Sequence, residues 1–124
     1  MEKIYTNKAP EAIGPYSQAI VCNGMVYTSG QIAINPATGQ VEAETIEGQT
    51  YQVISNLEEV LTAANSSIEN VVKTTCFLKE MSDFVAFNSI YEKYFVNKPA
   101  RSCVAAKELP RNVLVEIEVI AIVK

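Results

Sequence analysis

The chain has 124 residues, 48% of them apolar, which is enough for one hydrophobic core and within the size of a single domain spanning residues 1–124. Ten basic and fourteen acidic residues leave a net charge of -4, so no general electrostatic attraction draws it to nucleic acid or to an anionic membrane surface. There is no histidine. That removes Ser-His-Asp and Cys-His catalysis and any His-based metal site, and leaves acid–base work to carboxylates, Tyr, Lys, Cys or water.

Cys22, Cys76 and Cys103 are odd in number and widely spaced, unlike a disulfide framework or a zinc site, and read as reduced thiols. The opening MEKIYTNKAP has neither the apolar core of a signal peptide nor the Arg-rich character of a transit peptide, and no apolar run is long enough to span a bilayer. A cytosolic location is the expectation.

In chain order, Lys3–Thr6 is predicted as a short strand, followed by a Pro- and Gly-bearing loop, NKAPEAIGPYS. QAIVC and MVYTSG then flank Asn23-Gly24, a dipeptide that accepts the positive φ angles of a tight hairpin turn. The second strand is predicted to run on through GQIAI to the turn NPATG. From Ile46 to Ala64, Val53, Leu57, Val60 and Leu61 recur at helical spacing, and Asn65 offers a stop. VVKTTCFLK is β-rich. A second helix follows, capped by Ser82 or Asp83, with Phe84, Phe87, Tyr91, Tyr94 and Phe95 as its aromatic face, and Pro99 ends the region. ARSCVAA reads as a short strand and VLVEIEVIAIVK as a long one.

In that last strand Val113, Val115, Ile117, Val119, Ala121 and Val123 share one face; Leu114, Glu116, Glu118, Ile120 and Ile122 share the other. Both faces are substantially apolar, yet two amphipathic helices cover only one side of a sheet. Another copy of the chain is the economical cover for the second side. The element order describes an α+β domain with helices on one face of a mixed sheet.

Each candidate for chemistry has a functional and a structural reading. Glu116 sits in an otherwise buried strand, where a carboxyl acquires a raised pKa or else serves as a paired structural group near a subunit interface. Glu118 suits an interface ion pair. The guanidinium of Arg101 matches a substrate carboxylate bidentately, or forms an ordinary ion pair. Cys103 lacks a histidine to activate it and suits packing better than nucleophilic attack. Ser29-Gly30 offers a hydroxyl and a backbone N–H to a ligand, or simply a bend. Tyr16 covers a pocket or packs its loop onto the sheet, and Asn88 orients neighbouring groups or faces solvent.

Six segments, AIGPYSQAI, TSGQIAINPATG, VVKTTCFLKEMSDF, FNSIYEKYF, PARSCV and LVEIEVIAIVK, resemble successive hallmark blocks of the RidA/YjgF family of imine/enamine deaminases, in the family's order and over almost the whole chain. The pairing of PARSCV with the downstream VEI is the most specific element. The resemblance implies a chorismate-mutase-like α+β fold and a homotrimer with a barrel-like centre. It also implies clefts between subunits that bind small carboxylate-bearing imine or enamine acids, with no metal or organic cofactor. The implied activity is hydrolysis of 2-aminoacrylate and its relatives to 2-oxo acids and ammonia. By the same resemblance, Arg101 holds the substrate carboxylate and Glu116 manages protons and water. Tyr16, Ser29, Gly30, Asn88 and the Cys103 backbone shape or polarise the cleft. Ala105, where many members carry an acidic residue, and the short VNK before Pro99 depart from the pattern, the latter implying room for bulkier side chains. The alternatives are a 2-oxo-acid-binding regulatory module without turnover and, less in keeping with the acidic balance, a ribonuclease or translation inhibitor.

Overall fold

Asn23 and Gly24 take φ values of 53° and 75°, the left-handed pair that a two-residue hairpin needs to match strand twist. They join β2 (Ala19–Cys22) to β3 (Met25–Thr28), in register from Ala19 opposite Thr28 to Cys22 opposite Met25. The computed structural model describes all residues, 1–124. Its first strand, β1 (Glu2–Ile4), lies antiparallel to β2 and ends before the predicted Thr6, because the Thr6 N–H is taken by Gln18 Oε1 at 2.7 Å.

The second hairpin strand does not run on through GQIAI. It stops at Thr28, the Ser29 N–H turns back to the Gln18 carbonyl, and only Gln31 returns to the sheet as a single bridge to Ile117. Ile34–Asn35 (β4) instead pairs with Gln40–Val41 (β5) in a separate small hairpin. Within the segment the Ile34 N–H turns back to the Ile32 carbonyl at 2.9 Å, and Asn56, on the helix that follows, holds that turn by donating from Nδ2 to the carbonyls of Ile32 at 3.1 Å and Ile34 at 2.9 Å.

That helix, α1 (Ile46–Ala63), starts at Thr45, whose Oγ1 accepts the Gly48 N–H, and stops where Asn65 turns to a φ of 58°. Its Val53, Ile54, Leu57, Val60 and Leu61 are fully buried. β6 (Val71–Leu78) leads through a 3₁₀ turn at Met81–Asp83 into α2 (Phe84–Tyr94). Asp83 precedes the helix as predicted, but its side chain caps nothing; the turn itself supplies the entry. Then come β7 (Ala100–Ala105) and β8 (Val115–Ile122).

The six strands order as β1-β2-β3-β8-β6-β7, antiparallel throughout except for the β6–β7 pair that α2 connects. The architecture is therefore the predicted α+β arrangement, a mixed sheet with both helices on one face. β8 alternates as read from sequence: Val115, Ile117, Val119 and Ala121 are buried against the helices, while Glu116, Glu118, Ile120 and Ile122 face the other way. On that open face Tyr27, Val104 and Ile122 remain 45%, 49% and 49% exposed. No helix is long and apolar enough to cross a membrane.

Candidate functional site

Glu116 stands on the open face of β8, at the wall of a cleft of about 420 Å³. The break after Thr28 brings Gly30 directly beneath it. A Cβ placed at Gly30 would stand 2.0 Å from Glu116 Oε2 and 2.8 Å from its carboxyl carbon. Only glycine lets this carboxyl group lie flat on the backbone. Burial raises the Glu116 pKa above the ordinary carboxylate value, and the neighbouring Glu118 pushes it further; neither a hydrogen bond nor a cation opposes them. The result is a carboxyl group that holds a proton more readily than a solvated one and faces an open cavity.

Tyr16, Ser29 and Gly30 line this same cleft, with Gln18, Gln31 and an apolar wall of Ile13, Ile32 and Ile34. The Ser29 hydroxyl does not point its proton at a ligand as the sequence suggested. It donates to the Ser17 carbonyl at 2.6 Å, which leaves only its acceptor lone pairs for the cleft. Tyr16 is half exposed, and its phenolic oxygen accepts the Ile13 N–H at 3.4 Å, so it stiffens the loop that forms the cleft's rim. Buried Gln18 anchors the base of that loop by donating from Nε2 to the carbonyls of Thr6 and Pro10. Sequence reasoning missed Gln18. A polar residue at the head of an apolar strand was its one signal.

Arg101 and Asn88 occupy a different cavity, of about 380 Å³, shared with Tyr91, Glu92, Phe95, Lys98 and Pro99. Arg101 Nη1 donates to Asn88 Oδ1 at 2.8 Å, so Asn88 faces a cation and not solvent. The guanidinium carbon lies 4.7 Å from the Tyr91 ring centroid, 5.4 Å from Phe84 and 5.9 Å from Phe87. The aromatic stripe of α2 thus borders Arg101 as well as the core, a role its spacing alone did not reveal.

Within one chain Arg101 and Glu116 do not meet. Arg101 pairs with Thr74 of β6, whose side chain is buried toward the helices; Glu116 pairs with Phe77, on the open face. Three residues along the strands and two strands across put the two Cα atoms roughly 14 Å apart, with side chains on opposite faces. Cys103 lines neither cavity. It lies two residues along β7 from Arg101, on the helix side and opposite buried Cys76. Burial pushes the Cys103 thiol up, only partly offset by Arg101, and pushes Cys76 up to about 12, so both are thiols at neutral pH. The Cys103 backbone belongs to β7, an edge strand of the sheet. No group of three or more His, Cys, Asp or Glu side chains is gathered closely enough to hold a metal ion.

These features define an α+β protein with an open cleft beside a carboxyl group of raised pKa, and a second, guanidinium-bearing cavity on the far side of the sheet. The family model described as Endoribonuclease L-PSP matches residues 6–123. A RutC family protein of Synechocystis is 50% identical over 98% of this chain and 96% of its own length. A Lactococcus lactis protein that carries a regulator's name, AldR, is 52% identical over 100% of this chain and 99% of its own. The chloroplastic Reactive Intermediate Deaminase A of Arabidopsis thaliana is 46% identical over 97% of this chain and 65% of its own length. Among solved structures, E. coli TdcF with bound serine superposes with a TM-score of 0.94 at 37% identity, each chain covered in full, at 100%. The chain belongs to the RidA/YjgF family.

Proposed function

We propose that this chain is a cytosolic, homotrimeric deaminase that hydrolyses 2-aminoacrylate and related enamine or imine acids to 2-oxo acids and ammonia. The observation that carries the reading is Glu116, a carboxyl group with raised pKa, unpaired within the chain and lying over Gly30 at the wall of an open cleft. Kinship with a reactive intermediate deaminase, and a carboxylate-bearing ligand in the E. coli relative, agree with it.

The chemistry asks little of the protein. Protonation of the enamine at its terminal carbon gives an iminium ion, already electrophilic at C2. Water adds there, loses a proton to give a carbinolamine, and collapse of that species releases ammonia and leaves the 2-oxo acid. Glu116 hands over the first proton and, as the carboxylate, takes one from the attacking water. A group titrating above the ordinary carboxylate range suits both directions. Arg101 binds the substrate carboxylate through two of its N–H groups and fixes C2 relative to the water.

Because Arg101 and Glu116 of one chain face opposite sides of the sheet, a cleft holding both needs two copies. The apolar open face, with Tyr27, Val104 and Ile122 exposed, and the free edge of β7 are the surfaces on which such copies would associate. Light scattering should give three times the chain mass.

The test is the rate of pyruvate release from 2-aminoacrylate, generated in place by a serine dehydratase. The parent should accelerate it, and Arg101→Ala and Glu116→Gln should not, while Glu116→Gln retains pyruvate binding. Ligand binding with no acceleration by the parent would replace the enzyme with a sensing module.

A further inference from the structure

Positions 84, 87, 88 and 91 of α2 are spaced i, i+3, i+4, i+7, which is one stripe of a helix. Three of them are aromatic and the fourth is Asn88. All four border the same guanidinium: the three rings lie within 5.9 Å of the Arg101 carbon, and the Asn88 oxygen accepts its hydrogen bond. Tyr91 is the nearest ring, and it is tied down by a hydrogen bond as well as by packing. Its hydroxyl shares a buried 2.8 Å hydrogen bond with Thr74 Oγ1, and its ring stacks on Phe95 at 4.3 Å between centroids. Thr74 is itself the residue that pairs with Arg101 across β6 and β7. The strand pair that carries the guanidinium therefore also fixes the ring against which it rests.

We propose that Tyr91, seconded by Asn88, is a positioning residue for Arg101, holding the guanidinium in one orientation before a carboxylate arrives. An arginine on a bare surface samples many rotamers and must lose them on binding. Here the π faces restrain the guanidinium electrostatically and Asn88 engages one of its five N–H groups, leaving the others for a bidentate contact. Burial also raises the Tyr91 pKa, so the ring stays a neutral phenol. The inference rests on the reading of Arg101 as the carboxylate anchor.

The experiment compares Tyr91→Leu, Tyr91→Phe, Asn88→Ala and Arg101→Ala, each checked for fold by circular dichroism and for assembly by light scattering. Pyruvate binding is followed by ligand-observed NMR and kcat/KM by pyruvate release. Tyr91→Leu and Asn88→Ala should each weaken pyruvate binding by about tenfold, the size of a lost desolvated cation–π or charge-assisted contact, and raise KM with little change in kcat. Tyr91→Phe, which keeps the π face, should recover most of the loss.

The deciding comparison is a double-mutant cycle in pyruvate affinity, which ligand-observed NMR reads even where binding is weak and turnover is lost. In the Arg101→Ala background, Tyr91→Leu should cost nothing further if it acts through the guanidinium. An equal loss in both backgrounds would make Tyr91 a core residue only and overturn the proposal, as would unimpaired pyruvate binding by folded Tyr91→Leu. Should Tyr91→Leu not fold, the same cycle with the more exposed Asn88→Ala decides, by the same two outcomes. If Arg101→Ala alone binds pyruvate like the parent, the anchor reading itself fails and the proposal falls with it. If Arg101→Ala binds poorly while the cycle is additive, the anchor stands and only the positioning role is lost.

Discussion

Adding one methyl group at Gly30 isolates the geometry of Glu116 from its chemistry. Gly30 is not among the residues with positive φ, so alanine there brings no backbone strain, and the clash falls on the end of a flexible side chain. The new Cβ would stand 2.0 Å from Oε2, so the carboxyl oxygen has to retreat by roughly 1 Å or more to reach ordinary contact. Gly30→Ala should therefore keep a urea midpoint close to the parent's, since Glu116 swings into the open cleft at little cost. Activity should suffer far more. A misplacement of about 1 Å at a reacting group costs on the order of 10²-fold, against a loss of up to about 10⁴-fold for removing an acid–base group outright. The assay is kcat for pyruvate release by Gly30→Ala beside Glu116→Gln, with the midpoint measured on the same samples. Activity within a few-fold of the parent in a stably folded Gly30→Ala would refute the claim that the carboxyl must lie over this glycine.

Glu116→Gln should be more stable than the parent at pH 7, because the ionised parent group is half-buried beside Glu118 and its pKa is raised. As pH falls through that raised pKa the parent's folded state takes up the proton first, so the advantage should shrink and be gone below about 4.5, the ordinary carboxylate value. Thermal melts from pH 3.5 to 8 would show it, and a constant gap between the two proteins would contradict the sign. Asn56→Ala should lower stability by about 1–3 kcal/mol, because it strips partners from the carbonyls of Ile32 and Ile34. Urea denaturation at fixed protein concentration measures this, and a neutral result would mean that water replaces the amide.

The elements that proved legible are those whose cause is local. Asn23-Gly24 dictates its own turn, the 3.6-residue recurrence from Ile46 to Leu61 specifies α1, and the alternation of β8 sorts core from open face without reference to the rest of the chain. The misread segment, GQIAI, alternates like a strand, yet it turns on itself from the Ile34 N–H to the Ile32 carbonyl, and the carbonyls of Ile32 and Ile34 are held by Asn56, more than twenty residues away. The candidate site divides the same way. Residue type singled out Glu116 and Arg101, and the family's blocks gave them roles. Their placement on opposite faces follows from β6 lying between β8 and β7, a strand order that no short segment encodes. The reason for Gly30 was likewise invisible until Glu116 was seen resting on it.

The separation of Arg101 from Glu116 has a consequence for mixtures of chains. If each working cleft takes its cation from one copy and its carboxyl group from a neighbour, an Arg101→Ala copy disables one cleft of a ring and leaves its own Glu116 serviceable to the next. Two inactive variants, each lacking a different half, would then restore working clefts when co-assembled, whereas a copy lacking both would silence the clefts on either side of it. Dilution would act in the same direction, since separated copies retain both groups and the fold yet have no place where the two face one substrate.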